Sequence, residues 1–176
     1  MHSGGGRLSL ANADKFDICI GKRVLDKQLI VNGPIPVFSA NVVEPFGYID
    51  ELLITDFSVP SVLWGIDGDW ITSFVPANKQ FYPTDHCGVI RCKTEEIDPV
   101  YLAHVLEREG KNMGFSRSYR ASIDRIKGIS FSVPPKEKQK ETINRIHAIE
   151  MKINELIGKI EDLSGKITES LNSYLQ

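Results

Sequence analysis

Asp67 and Asp69 bracket a glycine, His86 adjoins Cys87, and five basic residues crowd the stretch from Lys111 to Lys127. Two carboxylates this close can serve as a general acid and a general base. Here, however, Asp67-Gly68 separates two apolar runs, a hairpin signal because both central positions of the favoured two-residue turn need positive φ. The aspartates therefore read as turn residues. His86 beside Cys87 raises zinc, but a usable second pair is missing and His104 is the only other nearby histidine. Cys19, Cys87 and Cys92 are odd in number, and an apparent strand separates the close pair, so all three read as free, buried thiols.

Other catalytic signatures are incomplete. Methyl transfer to adenine needs an Asn- or Asp-Pro-Pro-aromatic loop to hold the flipped base, whereas Pro134-Pro135 stands between Val133 and Lys136. Gly21-Lys22 lacks the upstream glycine and the following hydroxyl residue of a phosphate-cradling ATPase loop. Glu150-Met151-Lys152 imitates the end of a metal-dependent nuclease motif, yet no aspartate-bearing strand precedes it. A small hydrolase using Asp67, Asp69 or His86 is the enzyme reading that these residues leave open.

The net charge of −2 gives no hint of a nucleic-acid partner, but its distribution does. From Glu44 to Asp85 the acids Glu44, Asp50, Glu51, Asp56, Asp67, Asp69 and Asp85 face Lys79 alone. Between Lys111 and Lys127 the bases Lys111, Arg117, Arg120, Arg125 and Lys127 face only Asp124. A local cluster of this kind attracts a phosphate backbone whatever the total charge. The competing reading is a solvated, charged loop.

The elements that must carry these residues can be read from periodicity. A composition of 41% hydrophobic and 25% charged residues belongs to a soluble globular protein, without a membrane span or secretory signal, so the default compartment is the cytoplasm. Residues 1–15 read as a flexible lead, opening on the featureless MHSGGG. Residues 16–133 form an α+β domain with a small mixed or antiparallel sheet. Its candidate strands are Pro36 to Ser39, Leu52 to Ile54, Val62 to Ile66, Trp70 to Val75, Gly88 to Cys92 and Ile129 to Val133. Trp64 and Trp70 flank the hairpin signal and are assigned to the core rather than to DNA stacking. Pro99 opens a helix through Val100 to Leu106 that should stop near Gly110.

Residues 134–176 form one long helix primed by the two prolines. Heptad a positions fall on Ile146, Ile153, Ile160, Ile167 and Tyr174, and d positions on Ile149, Leu156, Leu163 and Ser170. That span is about 43 Å long, more than so small a domain needs to cover its own core. A sustained heptad argues for a partner helix. Since the sequence holds no second heptad segment, the partner must come from another chain or from a missing half. Gly158 and Gly165 are weak points, each costing about 1 kcal/mol relative to alanine.

Read together, these segments resemble the specificity subunits of type I restriction-modification systems, from about Asp17 to Leu175. Gly21-Lys22-Arg23 followed by Gly33 to Asn41 (GPIPVFSAN) is similar to the family pattern G-x-I-P-V-[YF]-S-x-N, and Pro45 to Asp50 (PFGYID) follows in order. Ile97 to Leu102 (IDPVYL) matches the helix after the sheet. The order of apolar strand, Pro134-Pro135, Gln139 and heptad helix resembles the family's P-P-L-x-E-Q boundary, with Lys136 replacing its leucine and Lys138 its glutamate.

The resemblance implies a non-catalytic DNA target recognition domain with one conserved coiled-coil helix, about half of a full subunit. It is either a natural half that dimerises through Ile146, Ile149, Ile153, Leu156, Ile160, Leu163, Ile167 and Tyr174, or a piece of a longer or fused protein. The implied partners are double-stranded DNA, adenine methyltransferase subunits and a restriction subunit. S-adenosylmethionine, ATP and magnesium would sit on those partners, and this chain would hold no cofactor. Candidate DNA contacts are Lys111, Ser116, Arg117, Ser118, Tyr119 and Arg120, with Ser39 and Asn41 near the other motif, Asn41 reading more readily as a turn residue. The rival class is a coiled-coil adaptor whose globular part binds protein.

Overall fold

Short runs, most of them rich in β-branched and aromatic residues and several closed by Gly, Pro or Asp, fold as strands on which the rest of the chain packs. The computed structural model describes residues 6–174, so most of the opening MHSGGG lies outside the described residues. The strands are β1 Gly6–Ser9, β2 Phe16–Ile20, β3 Ile35–Phe38, β4 Gly47–Ile49, β5 Ser61–Gly65, β6 Thr72–Val75, β7 Tyr82–Pro83, β8 Cys87–Cys92 and β9 Ser130–Val133. The helices are α1 Pro99–Met113, α2 Ile123–Lys127 and α3 Lys136–Tyr174. An antiparallel sheet of order β2-β8-β5-β6 carries the centre; a mixed sheet β4-β3-β7 and an antiparallel ribbon β1-β9 complete the layers. The α+β class read from the sequence is the observed one.

Every residue of β5 is buried, because both faces of the central sheet are covered. Val62 and Trp64 point into the core shared with Leu102, Leu106, Ile126 and Phe131, while Leu63 joins Val42, Val75, Phe81 and Val89 on the other side. Trp64 is a core residue and Trp70, partly buried, packs against the same core, each with a satisfied indole. Trp64 Nε1 donates to the Ala121 carbonyl and Trp70 Nε1 to that of Glu107, each at 2.8 Å.

Several expectations are corrected. Within the expected flexible lead of residues 1–15, the described residues 6–10 are ordered into the domain: β1 pairs with β9, with Leu8 opposite Phe131, and Leu8 and Leu10 are buried. The alternation Arg7-Leu8-Ser9-Leu10 is too short to stand out without its distant partner. Leu52 to Ile54 is not a strand; Leu53 and Ile54 pack from irregular chain, and β4 forms just before them. The β5–β6 connection is no two-residue turn, since pairing ends at Trp64 opposite Thr72, and within the loop only Gly68 takes positive φ, at 108°.

Helix α1 runs past Gly110 to Met113 and ends on Gly114 in the left-handed conformation, φ 75°. Gly110 serves close packing instead of termination, because a Cβ there would overlap the Trp70 indole. At the other end Asp98 Oδ1 accepts from the Val100 and Tyr101 amides, with Pro99 in the first turn.

The chain divides into two units after Gln139. The boundary lies a few residues beyond the expected 133/134 junction because the first turn of α3 belongs to the first unit through Gln139, 1% exposed. In the second unit α3 continues as a single helix whose Ile149, Ile153, Leu156, Ile160, Leu163, Ile167 and Tyr174 are all exposed, while Ile146 is half-buried. No helix among the described residues is long and apolar enough to cross a membrane.

Candidate nucleic-acid interface

Ser39 and Asn41 leave β3 on a loop that rests against the end of β5. Gly65 permits this approach, since a Cβ there would strike the Ala40 carbonyl oxygen. Thr84 Oγ1 donates to Ser39 Oγ at 3.1 Å, and the Thr84 amide donates to the Phe38 carbonyl at 2.9 Å. Asn41 Oδ1 accepts from the amides of Val43 and Glu44 at 3.0 and 3.3 Å, so its side chain closes a turn. The Ser73 hydroxyl then holds the Val42 carbonyl.

The basic segment is a tight turn with an aromatic foundation. The amides and carbonyls of Ser116 and Tyr119 exchange two hydrogen bonds of 3.1 Å, which puts Arg117 and Ser118 at the tip. Phe115 is buried against Trp70, with ring centroids 4.9 Å apart, and Tyr119 stacks on Phe115 at 5.8 Å. The Arg125 guanidinium lies 3.8 Å from the Tyr119 ring centroid and donates to the Arg120 carbonyl at 2.6 Å. Arg125 is therefore occupied in holding the loop. So is much of Tyr119, while Ser116 and Ser118 bond each other at 3.2 Å.

The two candidate segments, distant in sequence, meet. A cavity of about 330 Å³ is lined by Asn41, Asp69, Trp70 and Arg117, and a neighbouring one of about 440 Å³ by Ser39, Asp67, His86, Arg117 and Arg120. Ala40, Gly68 and Arg117 line both, so they form one continuous surface. Arg117 is exposed and makes no hydrogen bond or ion pair among the described residues, which leaves all of its donors for a ligand. Lys111 is not among the lining residues; it pairs with Glu107 at 2.6 Å along α1.

The contacts of Asp67 escaped the sequence reading. Asp67, assigned to turn geometry, instead bonds His86 Nδ1 at 2.7 Å and lies 3.7 Å from Arg120 Nη2. Its proximity to Gly68 and Asp69 had marked it, but nothing in the spacing to His86 or Arg120 signals contact. Cys87 and Cys92 are buried thiols, and Cys19 is half-buried. Burial is the leading cause that pushes Cys92 up to about 12 and raises Cys87 and Cys19 as well. Such thiols are poor nucleophiles and poor metal ligands. No group of three or more His, Cys, Asp or Glu placed to hold a metal occurs among the described residues.

The described residues thus combine small sheets and a long C-terminal helix with a loop surface that carries Arg117 and Arg120. A family model described as the type I restriction modification DNA specificity domain matches residues 12–163. A Mycoplasma pneumoniae (strain M129) protein described as the N-terminus of a type I specificity subunit is 36% identical over 94 residues, 51% of this chain and 50% of that protein. The chain thus spans about half the length of that curated relative.

Among solved structures, the type I S subunit from M. genitalium superposes with a TM-score of 0.62 at 13% identity, over 92% of this chain and 43% of that one. The HsdS subunit from Thermoanaerobacter tengcongensis gives 0.61 at 15% identity, over 88% and 39%. The chain belongs to the type I restriction-modification DNA specificity domain family. The relatives named above are described as specificity subunits, and membership of the family speaks against the adaptor reading.

Proposed function

We propose that this chain binds double-stranded DNA through the surface formed by residues 39–41, 67–70, 86 and 117–120, and reads one part of a target site. The observation that supports this most directly is the convergence of Ser39, Arg117 and Arg120 on one cavity, with Arg117 unpaired among the described residues. Arginine pairs with guanine or with phosphate, and serine hydroxyls donate to phosphate oxygens. In this reading the chain directs adenine methyltransferase subunits, and a restriction subunit where one exists, to their site in the cytoplasm. S-adenosylmethionine, ATP and magnesium belong to those partners.

The exposed heptad stripe of α3 supports pairing with a second copy. The a positions contain no Asn, the residue that favours parallel register. Because the domain precedes the helix in sequence, an antiparallel pair sets two domains at opposite ends and suits a two-part site separated by a spacer. The test is selection from random duplexes with the methyltransferase partner present, followed by titration across salt concentrations. Enrichment of an interrupted motif, with affinity falling steeply as salt rises, supports the reading. Absence of any salt-dependent DNA binding overturns it.

A further inference from the structure

Asp67 is placed to organise a reader. Its side chain is only 20% exposed; one carboxylate oxygen accepts from His86 Nδ1 at 2.7 Å and the other lies 3.7 Å from Arg120 Nη2. A carboxylate can only accept, so the hydrogen of the His86 bond resides on Nδ1. That bond sets the tautomer and leaves Nε2 as an acceptor in the neutral ring. Nε2 lies 3.9 Å from Asp85, outside hydrogen-bonding range, and the imidazole is half-exposed.

The backbones on either side are held as well. The His86 amide donates to Thr84 Oγ1 at 3.2 Å and its carbonyl accepts from Ile66 at 3.1 Å. The Ala121 amide donates to the Ile66 carbonyl at 3.1 Å, and the Arg120 carbonyl accepts from Arg125. An acceptor on His86 and a forked donor on Arg120 thus line one cavity from two fixed strands of chain. A hydrolytic arrangement would need Ser39, which shares this cavity, to bond His86; its hydroxyl bonds Thr84 instead.

A G·C pair presents the matching pattern in the major groove: two acceptors, guanine O6 and N7, beside one donor, the cytosine N4 amine. Resting on the DNA-binding reading above, we infer that His86 and Arg120, positioned by Asp67, read one G·C base pair. Arg120 donates to guanine and His86 Nε2 accepts from cytosine. Asp67 is the positioning residue, bonded to His86 and facing Arg120.

The test is the same duplex selection, run on the full chain with its methyltransferase partner and on three variants. Wild type selects G·C at one position. His86→Ala and Arg120→Ala each relax preference at that same position, with affinity for the selected duplex falling about five- to a hundredfold. Asp67→Asn, whose amide can donate to the ring and so releases the tautomer, relaxes the same position to a smaller extent. Replacing that G·C pair by A·T weakens wild type more than it weakens either alanine variant. Relaxation at different positions, an even loss across all sequences, or no change overturns the inference while leaving DNA binding intact. If wild type itself selects nothing, the DNA-binding reading falls and this one with it.

Discussion

The side-chain oxygen of Gln139 accepts the backbone amide of Asp98 at 2.7 Å, joining the first turn of α3 to the residue that caps α1. The amide nitrogen of the same side chain donates to the carbonyls of Glu96 and Pro134 at 2.9 and 2.8 Å. One glutamine thereby satisfies three backbone groups at the point where strand β9, the Pro134-Pro135 step and α1 converge. An amide is suited to this because it donates and accepts at once, which neither a carboxylate nor a lysine can do.

Gln139→Ala should therefore destabilise the first unit by about 2 to 4 kcal/mol, since each buried group left unsatisfied costs about 1 to 3 kcal/mol and partial rehydration offsets some of it. Gln139→Glu should be at least as harmful, because it turns a donor toward two carbonyls into a buried charge. Urea denaturation followed by tryptophan fluorescence checks both, given that Trp64 and Trp70 lie in this unit's core. A change below 0.5 kcal/mol would contradict the role assigned to the bond network (about the spread of ordinary surface substitutions).

Arg117→Ala should weaken DNA binding without loss of stability, because the side chain is exposed and unpaired among the described residues. If it meets a phosphate, affinity falls evenly across sequences and the slope of log affinity against log salt shrinks by about one. Fluorescence anisotropy at several salt concentrations measures both quantities. Lys111→Ala, on α1 and paired with Glu107, should have the smaller effect.

On the proposal that α3 pairs two copies, Leu156→Glu combined with Ile160→Glu should give a folded monomer. Both residues are exposed on the a/d stripe, at 47% and 63%, so the change removes an interface and not a core. Burial of an Ile or Leu contributes about 1.5 to 3 kcal/mol, enough over the whole stripe to offset the cost of association. Sedimentation at tens of micromolar distinguishes the states. An unmodified protein that is monomeric there, with its helix intact, rules out pairing of two copies.

Cys87 and Cys92 should resist iodoacetamide at pH 8 in the native protein and react fully in guanidinium. Their thiols are raised by burial, Cys92 to about 12, so the reactive thiolate is scarce at pH 8 and is released only when unfolding restores the ordinary value. Cys19, half-buried and raised by burial and by Asp17, should label at an intermediate rate. Intact mass before and after denaturation reads the result. Rapid native labelling of Cys92 would mean that its strand opens readily.

Features set by neighbours in the chain were legible in the sequence. Asp98-Pro99 starts α1 because an aspartate cap and a first-turn proline act within three residues, and Pro134-Pro135 ends β9 and primes α3 for equally local reasons. The heptad from Ile146 to Tyr174 is visible because its period belongs to the helix itself. The basic character of residues 111–127 is also plain from composition, and so is the α+β class. Tertiary structure decided what depends on partners remote in sequence. Strand β1 exists through β9, and Gly110 is kept small by Trp70 instead of ending a helix. Ser39 meets Arg117 and Arg120 only because Gly65 lets one loop lie on the sheet while the Trp64 indole and the Ile66 carbonyl hold the other at Ala121. Asp67 looked like a turn residue because its local pattern is that of a turn. Its bond to His86 comes from the antiparallel pairing of β5 with β8, which brings the ends of two strands remote in sequence together, a contact that no period or spacing in the sequence encodes.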